Sequence, residues 1–500
     1  MLSRPITASM LYDLVTCSHR LTLDTFGDQS LRGEPNVFLE LLWEKGTLFE
    51  KDVMAKLTVP FLDLSLYYGE EKETYTREAI ERGIPLIYRG RLSRDELLGE
   101  PDLLRKEGSG YVAGDIKSGS GEEGEGEKSK LKKSYAMQLG LYTDILERLN
   151  YSAGRWGFIW DIDGKEVRYG FDRPQGAKTP QTWWALYQDY LTQAGNILRQ
   201  TQETQAAYSS GNCKLCPWYQ PCLLDLQKRD DLTLLPELGR SKRDTLKTHI
   251  HTIQQFSTCN LDELIQGPKT VFPGIGVGTL TKLQARAQLV AAGDRAKPYL
   301  RQAVALPPAE REVFFDIEVD PLRDHCYLHG FIERTNGDNA TERYTSFFAG
   351  MPTWEAEQKA FAEAWAFLQA RRPCQVYYYS KYERTWYRKL QERYPEVCSA
   401  EDLEALFTSE RSVDLYFDVV LKATEWPTRD YSIKTLAKYL GFIWRDTHPS
   451  GAASIEWFHR WVESGDQTIK QRILDYNEDD CRATRVLLDG IRTLQVCSTS

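Results

Sequence analysis

Tyr111-Val-Ala-Gly-Asp115-Ile-Lys117 is an apolar run interrupted by a carboxylate and, two residues later, by an amine. A strand sends alternate side chains to opposite faces, so Asp115 and Lys117 share one face of what is otherwise a buried strand. Upstream stands Glu100-Pro-Asp102-Leu-Leu104. Downstream, Gln138-Leu-Gly-Leu-Tyr142 puts its two polar ends on one face of a helix. Carboxylates such as Asp102 and Asp115 on adjacent strands can hold a hard divalent cation, which takes oxygen ligands and keeps several waters. Lys117 beside them can orient or deprotonate an attacking water, a chemistry suited to phosphodiester hydrolysis. Taken singly, Asp-x-Lys is common on exposed strands and Gln-x3-Tyr on helix surfaces; their order and spacing together point to a site.

The chain has 500 residues, room for about three domains at roughly 150 residues each. With 41% hydrophobic and 27% charged residues and a mean hydropathy of -0.50, the composition is that of a globular protein with a sizeable core, not of a disordered or fibrous one. No stretch approaches the roughly 20 apolar residues of a bilayer span. Asp13 interrupts the N-terminal segment where a signal peptide needs an apolar core, so a cytoplasmic protein is expected. The net charge of -9 excludes bulk attraction for phosphate, and nucleic-acid binding must rest on local patches. The ten cysteines read as reduced thiols, some of them metal ligands.

Residues 1–228 alternate helical and strand patterns and close on Cys213-Lys-Leu-Cys216-Pro-Trp-Tyr-Gln-Pro-Cys222. Gly119 to Lys133, Gly-rich and of mixed charge, reads as a solvated loop inserted in this part. From Arg240 to Leu300 nine Lys or Arg stand against four Asp or Glu. Within that basic stretch Phe272-Pro-Gly274-Ile-Gly276-Val-Gly278 precedes Thr279-Leu-Thr-Lys282. It reads either as a Gly-x-Gly turn offering backbone N–H groups to a phosphate at a helix start or as a plain turn after proline. The local positive charge favours nucleic-acid contact at Gly274, Gly276 and Lys282. A composition shift at Pro307 and Pro308 opens the last part.

There, Val313-Phe-Phe-Asp316-Ile-Glu318-Val319 again places two carboxylates on one face of an apolar strand, where unpaired charge is costly unless a metal neutralises it. Leu474-Asp-Tyr476-Asn-Glu-Asp-Asp480 begins a helical pattern with Tyr476 and Asp480 on one face. Between them, Gln375-Val-Tyr-Tyr-Tyr-Ser380-Lys-Tyr-Glu383 reads as a strand followed by a helix that carries Glu383. Asp414 and the segment Tyr431-Ser-Ile-Lys434-Thr-Leu resemble further blocks of the DEDD exonuclease pattern, and Asp414 reads as a supporting acid or a helix cap.

The first set of residues resembles the RecB-like branch of the PD-(D/E)XK nuclease superfamily. The resemblance implies catalytic roles for Glu50 (in Gly46-Thr-Leu-Phe-Glu50), Asp102, Asp115, Lys117, Gln138 and Tyr142, with Asp102 and Asp115 on the metal. The second set resembles the DEDD exonucleases of RNase H-like fold. It implies catalytic Asp316, Glu318, Glu383, Tyr476 and Asp480, with Asp316, Glu318 and Asp480 binding metal. Glu383 departs from the aspartate most members have there, which bears on the second ion. Cys213, Cys216 and Cys222, with Cys17 as fourth thiol, fit either zinc or an iron–sulphur cluster by spacing. One cysteine before the nuclease core and three after it resembles the staple of AddB-type helicase-nucleases and CRISPR-associated RecB-like exonucleases, which implies a [4Fe-4S] cluster. His19 reads as a helix-surface histidine.

The implied architecture is α/β throughout. Residues 1–228 form a restriction-endonuclease-like PD-(D/E)XK domain with a four-cysteine cluster. Residues 229–305 form a small, basic, helical linker of helix-hairpin-helix type, and 306–500 an RNase H-like domain of 3'-5' exonuclease type. The expected function is a Mg²⁺- or Mn²⁺-dependent nuclease, exonucleolytic rather than endonucleolytic. It would act on DNA rather than RNA in repair or recombination-type processing, with two active sites and a helicase or repair partner. The competing class is a nucleic-acid-binding adaptor in which one or both modules are inactive. No GxGxxG follows a strand, which sets aside a dinucleotide enzyme, and no Walker A loop is present for ATP-driven unwinding.

Overall fold

In the computed structural model the Asp115 segment is the strand Gly110–Ile116, buried at every position. The structure describes residues 2, 4–34, 37–124, 129–176, 179–306, 309–447 and 449–497, without the side chains of 37, 38 and 294. Pro307, Pro308 and residues 125–128 of the Gly-rich stretch lie outside the described residues. The chain divides into two compact units, Met1–Ala207 with Gly211–Asp225, and Tyr208–Ser210 with Leu226–Ser500.

The first unit is built on a six-stranded mixed sheet. Gly110–Ile116 lies inside it, antiparallel to Leu103–Glu107 and parallel to Trp156–Trp160. A strand covered on both faces needs an apolar run rather than an alternation, which is what Tyr111 to Ile116 supplies. One face packs against the helices Ala8–Thr16, Lys133–Arg148 and Trp183–Leu198. The other lies under Phe49, Val53 and Met54 of the helix Val37–Ala55. The helix Lys133–Arg148 is the crossover between the two parallel strands, so the residues after Lys117 return across the sheet carrying Gln138 and Tyr142. The Gly-rich stretch contains a short hairpin, Glu122–Glu123 paired with Lys130–Leu131.

Gly114 pairs with Leu103 on one side and Phe158 on the other, and a Cβ there would lie 2.3 Å from the Phe158 ring. Gly114→Ala is therefore expected to overpack the sheet and cost about 1–3 kcal/mol, read as a lower melting temperature with the circular dichroism spectrum unchanged. A melting temperature equal to wild type would show that the ring moves freely.

The second unit carries a five-stranded sheet in the spatial order Asp338–Phe348, His325–Thr335, Arg311–Asp320, Gln375–Tyr378, Ser412–Asp414. The first three strands are antiparallel, and the last two are added in parallel. Phe315 and Ile317 face the helices Trp354–Ala370 and Tyr382–Arg393. Phe314 faces the helix Gln467–Thr493, and strand alternation puts Asp316 and Glu318 on that same side. Residues 229–305, read above as a linker, belong to this unit. The helix Val277–Ala292 is tied in by Arg286, fully buried against Glu425 at 2.8 Å; stripping one partner from such a pair costs about 3–5 kcal/mol. Two of the nine cations of the basic stretch, Arg243 and Arg286, are buried. Among the described residues no helix is long and apolar enough to cross a membrane.

Candidate active sites

In the first unit the antiparallel register carries on one step past the pair Leu103–Gly114 and sets Asp102 opposite Asp115. The Asp102 amide donates to Asp115 Oδ1 at 3.3 Å, and the Ile116 amide donates to Asp102 Oδ2 at 2.9 Å. Lys117 Nζ stands 2.9 Å from Asp115 Oδ2, an ion contact whose alignment leaves that oxygen without a hydrogen bond. Burial, then the Asp115 charge, pushes the Asp102 carboxyl up to about 7, and Lys117 works against both. Burial opposes the Lys117 cation, but Asp115 and Asp102 outweigh it and hold the ammonium above its usual value. The ammonium is therefore charged at neutral pH.

Tyr142 is buried and its hydroxyl donates to Glu100 O at 3.5 Å. Burial, then the charges of Asp115 and Asp102, raises its phenol well above the ordinary range, which places it within electrostatic reach of both acids. One turn earlier, Gln138 Oε1 is buried without a hydrogen-bond partner. Glu50 does not join the acids directly. Its carboxylate is clamped by Arg89, Nε at 2.8 Å and Nη2 at 2.5 Å, while the Arg89 amide donates to Asp102 O at 2.8 Å. Arg89, held at φ 55°, thus couples Glu50 to the Asp102 loop. Sequence reading passed over it; the signal available was an arginine before Gly90 at the end of the strand Leu86–Tyr88.

In the second unit Asp316, Glu318 and Asp480 each offer an oxygen, and these oxygens lie within 4.8 Å of one another. Asn477 of the long helix, Trp444 and Lys434 surround them. Asn477 Nδ2 donates to Asp316 Oδ2 at 2.8 Å and Trp444 Nε1 donates to Asp480 Oδ1 at 2.6 Å. Lys434 Nζ donates to Tyr476 OH at 2.7 Å and to Asp480 Oδ2 at 3.2 Å. Asn477 in turn accepts from Tyr344 OH at 2.8 Å and fills the space that only a glycine at 330 leaves open, for a Cβ there would lie 1.6 Å from its Oδ1. Asp320 continues the same register but is turned to His459 at 2.7 Å.

Burial, then Asp480, pushes Glu318 up to about 8. Burial, then Glu318, Asp480 and Glu383, lifts Asp316 well above the carboxylate range. Glu383 stands in the first turn of the helix Tyr382–Arg393, buried, with Oε2 unpartnered, and burial raises its carboxyl well above the usual value, with Asp414 and Asp480 adding to it. The longer side chain therefore reaches into electrostatic contact with Asp316 and Asp480. Asp414 is the helix cap: its Oδ1 accepts from the amides of Tyr416, Phe417 and Ser380 at 3.0, 3.0 and 3.1 Å. Those bonds hold Ser380 at φ 98°, directly before the Glu383 turn. Asp316, Glu318 and Asp480 are a hard, all-oxygen donor set of the kind that takes Mg²⁺ or Mn²⁺, with Glu383 outside that group but within electrostatic reach of it.

Cys17 joins the helices Ala8–Thr16 and Ser18–Phe26, while Cys213, Cys216 and Cys222 follow one another through the turn Cys213–Leu215 and the helix Tyr219–Lys228. Trp218 ties the two pieces together, its Nε1 donating to Asp24 Oδ1 at 2.7 Å. Burial, then Cys216, Cys17 and Cys213, pushes the Cys222 thiol up to about 12, so the four thiols sense one another. Among the described residues no three of their sulfurs lie within 4.8 Å of one another. His19 Nδ1 bonds Thr204 Oγ1 at 2.9 Å.

Gly276 caps the helix Val277–Ala292, whose first turn carries no acid, and Gly274 adopts φ 76°. The space beside Gly274, Gly276 and Gly278 is open. Lys282 turns the other way, its Nζ reaching Glu237 Oε2 at 3.3 Å and Leu421 O at 3.5 Å.

Comparison with protein families matches residues 37–223 to the PD-(D/E)XK nuclease superfamily and residues 313–491 to the RNase H superfamily. No curated protein matches the chain.

Proposed function

The chain joins a PD-(D/E)XK nuclease superfamily domain to an RNase H superfamily domain, and on that premise we propose that it is a divalent-metal exonuclease of DNA with two active sites, serving repair or recombination-type processing. The observation that carries the reading is the convergence of Asp316, Glu318 and Asp480 with the unpartnered carboxyl of Glu383 beside them. Like charges buried at this spacing persist only if protonated or neutralised by a cation. A divalent ion, when bound, polarises the phosphate and lowers the pKa of its water.

Asp316, Glu318 and Asp480 would hold such an ion, and Glu383 would add the fourth carboxylate. Lys434 fixes the Tyr476 hydroxyl, which positions the attacking water, and keeps a cation where charge develops on the phosphate. In the N-terminal site Asp102 and Asp115 would hold the ion, Lys117 orients the water or phosphate as a cation, and Gln138 and Tyr142 place the strand. Glu50 acts through Arg89. The open Gly274–Gly276 turn offers amides to a backbone phosphate, and Lys282 supports that helix from within. Opening a duplex falls to a helicase partner.

Cys17, Cys213, Cys216 and Cys222 are assigned to a [4Fe-4S] cluster. The support is that the Cys222 thiol senses Cys216, Cys17 and Cys213, and that four thiolates suit a four-iron cluster. Anaerobically purified protein should be brown, and a colourless, zinc-loaded protein would overturn that assignment.

The test of function is cleavage of end-labelled single-stranded and duplex DNA in Mg²⁺, with Asp115→Ala and Asp316→Ala each expected to abolish one class of products. If neither variant changes the products while metal alters binding alone, the molecule is an adaptor.

A further inference from the structure

At the edge of the first unit's sheet lies a groove of about 610 Å³ that none of the candidate catalytic residues lines. Lys130, Arg168 and Arg173 stand around it. Arg168 is exposed, with its guanidinium 3.8 Å over the half-buried ring of Trp156. Among the described residues none of these three cations is engaged in an ion pair, whereas Arg155 on the same rim is taken up by Glu147 at 2.9 Å and Asp172 at 3.7 Å. Uncommitted cations sharing one recess repel each other, and an anion with several charges relieves that repulsion. The tryptophan beneath holds the Arg168 guanidinium flat at the groove.

The position of the groove says which polyanion. One wall is the hairpin Glu122–Glu123 with Lys130–Leu131, separated by five residues from the strand Gly110–Ile116 that carries Asp115. From Lys130 the chain passes to Lys132, whose Nζ is 5.1 Å from the Tyr135 ring. Lys117 Nζ lies 5.8 Å from the same ring, and Tyr135 meets the exposed ring of Tyr12 at 6.3 Å. Cations and aromatic rings therefore alternate from the groove to the candidate catalytic lysine, the pattern of a surface that follows a nucleic-acid backbone. An acidic peptide would use the cations but not the rings.

We propose that this groove is an exosite that grips the backbone of the nucleic-acid strand whose scissile phosphate sits at Asp102 and Asp115. The proposal rests on the nuclease reading above and adds to it a second point of attachment on the same unit.

The test is anisotropy of a long labelled oligonucleotide in EDTA, where neither site cuts, comparing wild type with Arg168→Glu/Arg173→Glu and with the milder Arg168→Gln/Arg173→Gln. Charge reversal is expected to weaken binding at low salt by about tenfold or more, and both variants to flatten the slope of log affinity against log salt by about 1.4, two contacts at ~0.7 each. Melting curves matching wild type would show both variants folded. A bromouracil-substituted oligonucleotide should photocrosslink to the peptide containing Trp156. Unchanged affinity and slope in both variants, or crosslinks that avoid that peptide, would overturn the exosite while leaving the nuclease reading intact. Poly-glutamate binding lost in parallel with unchanged oligonucleotide binding would overturn it in favour of an acidic peptide. Wild-type protein that neither binds nor cuts nucleic acid would remove the nuclease reading as well.

Discussion

Asp316→Asn is expected to lower cleavage by the C-terminal site about 10³-fold or more, because a carboxylate shared by the ion supplies several kcal/mol of charge stabilisation in the transition state. The same change should make the metal-free protein more stable. Asparagine keeps the shape and still accepts from Asn477 Nδ2, but it spares the folded state the proton that burial, then Glu318, Asp480 and Glu383, make Asp316 take up at the pH of the assay. Activity and stability therefore move in opposite directions. A residue serving packing alone would lower both. The assay follows cleavage of labelled DNA with the other site silenced by Asp115→Ala, and melting in EDTA at pH 8. Cleavage at the level of Asp115→Ala alone would remove Asp316 from the chemistry, and a lower melting temperature would remove the argument about charge.

The strands that carry acids could be read directly from the sequence. Tyr111 to Lys117 and Val313 to Val319 became the strands Gly110–Ile116 and Arg311–Asp320 because a run of apolar residues has few other places to go, and period two then assigns each acid a face. Boundaries were less visible. The helical pattern noted from Leu474 starts at Gln467, capped by Asp466 Oδ1 accepting from the Thr468 amide at 2.8 Å, and it runs for 27 residues. The Gly-rich insertion hid a hairpin, since two-residue strands leave no periodicity to detect.

What the sequence could not supply was the partner of each acid. Lys434 reaches Asp480 across 46 residues and Trp444 reaches it across 36. Nothing local distinguishes them from an exposed lysine or a core tryptophan. Asp320 shows the converse, for it shares the register of Asp316 and Glu318 yet is drawn to His459 instead. Glu383 is a departure from the expected aspartate, and its buried carboxyl is within electrostatic reach of Asp480 but outside the group that Asp316, Glu318 and Asp480 form. The positive balance from Arg240 to Leu300 likewise said nothing of burial, and Arg243 and Arg286 carry their charge inside the fold.

In EDTA the protein should lose stability as pH rises from about 6.5 to 8, and Mg²⁺ should abolish that loss. Asp102 and Glu318 are pushed by burial up to about 7 and about 8, above their unfolded values, so the folded state binds protons more tightly than the unfolded chain. Stability from such groups is complete below the unfolded pKa and fades as pH climbs through the folded one. Each contributes about 1.4 kcal/mol per pH unit while it holds its proton, so Glu318 alone removes about 2 kcal/mol across this window. His329, held down to about 3 by burial and then His325, acts with the opposite sign, but its contribution is complete above the ordinary histidine value of about 6.5. Cys222 and Lys117, both raised, begin to matter only above the window. With Mg²⁺ present the ligands give up their protons to the ion, more readily as pH rises, so the trend flattens or reverses. Asp316→Asn should lower the slope in EDTA and remove the part of the Mg²⁺ response that the C-terminal acids supply. A melting transition that stays level or climbs in EDTA between these pH values would mean that the acids do not crowd one another, and the case for an ion between them would go with it.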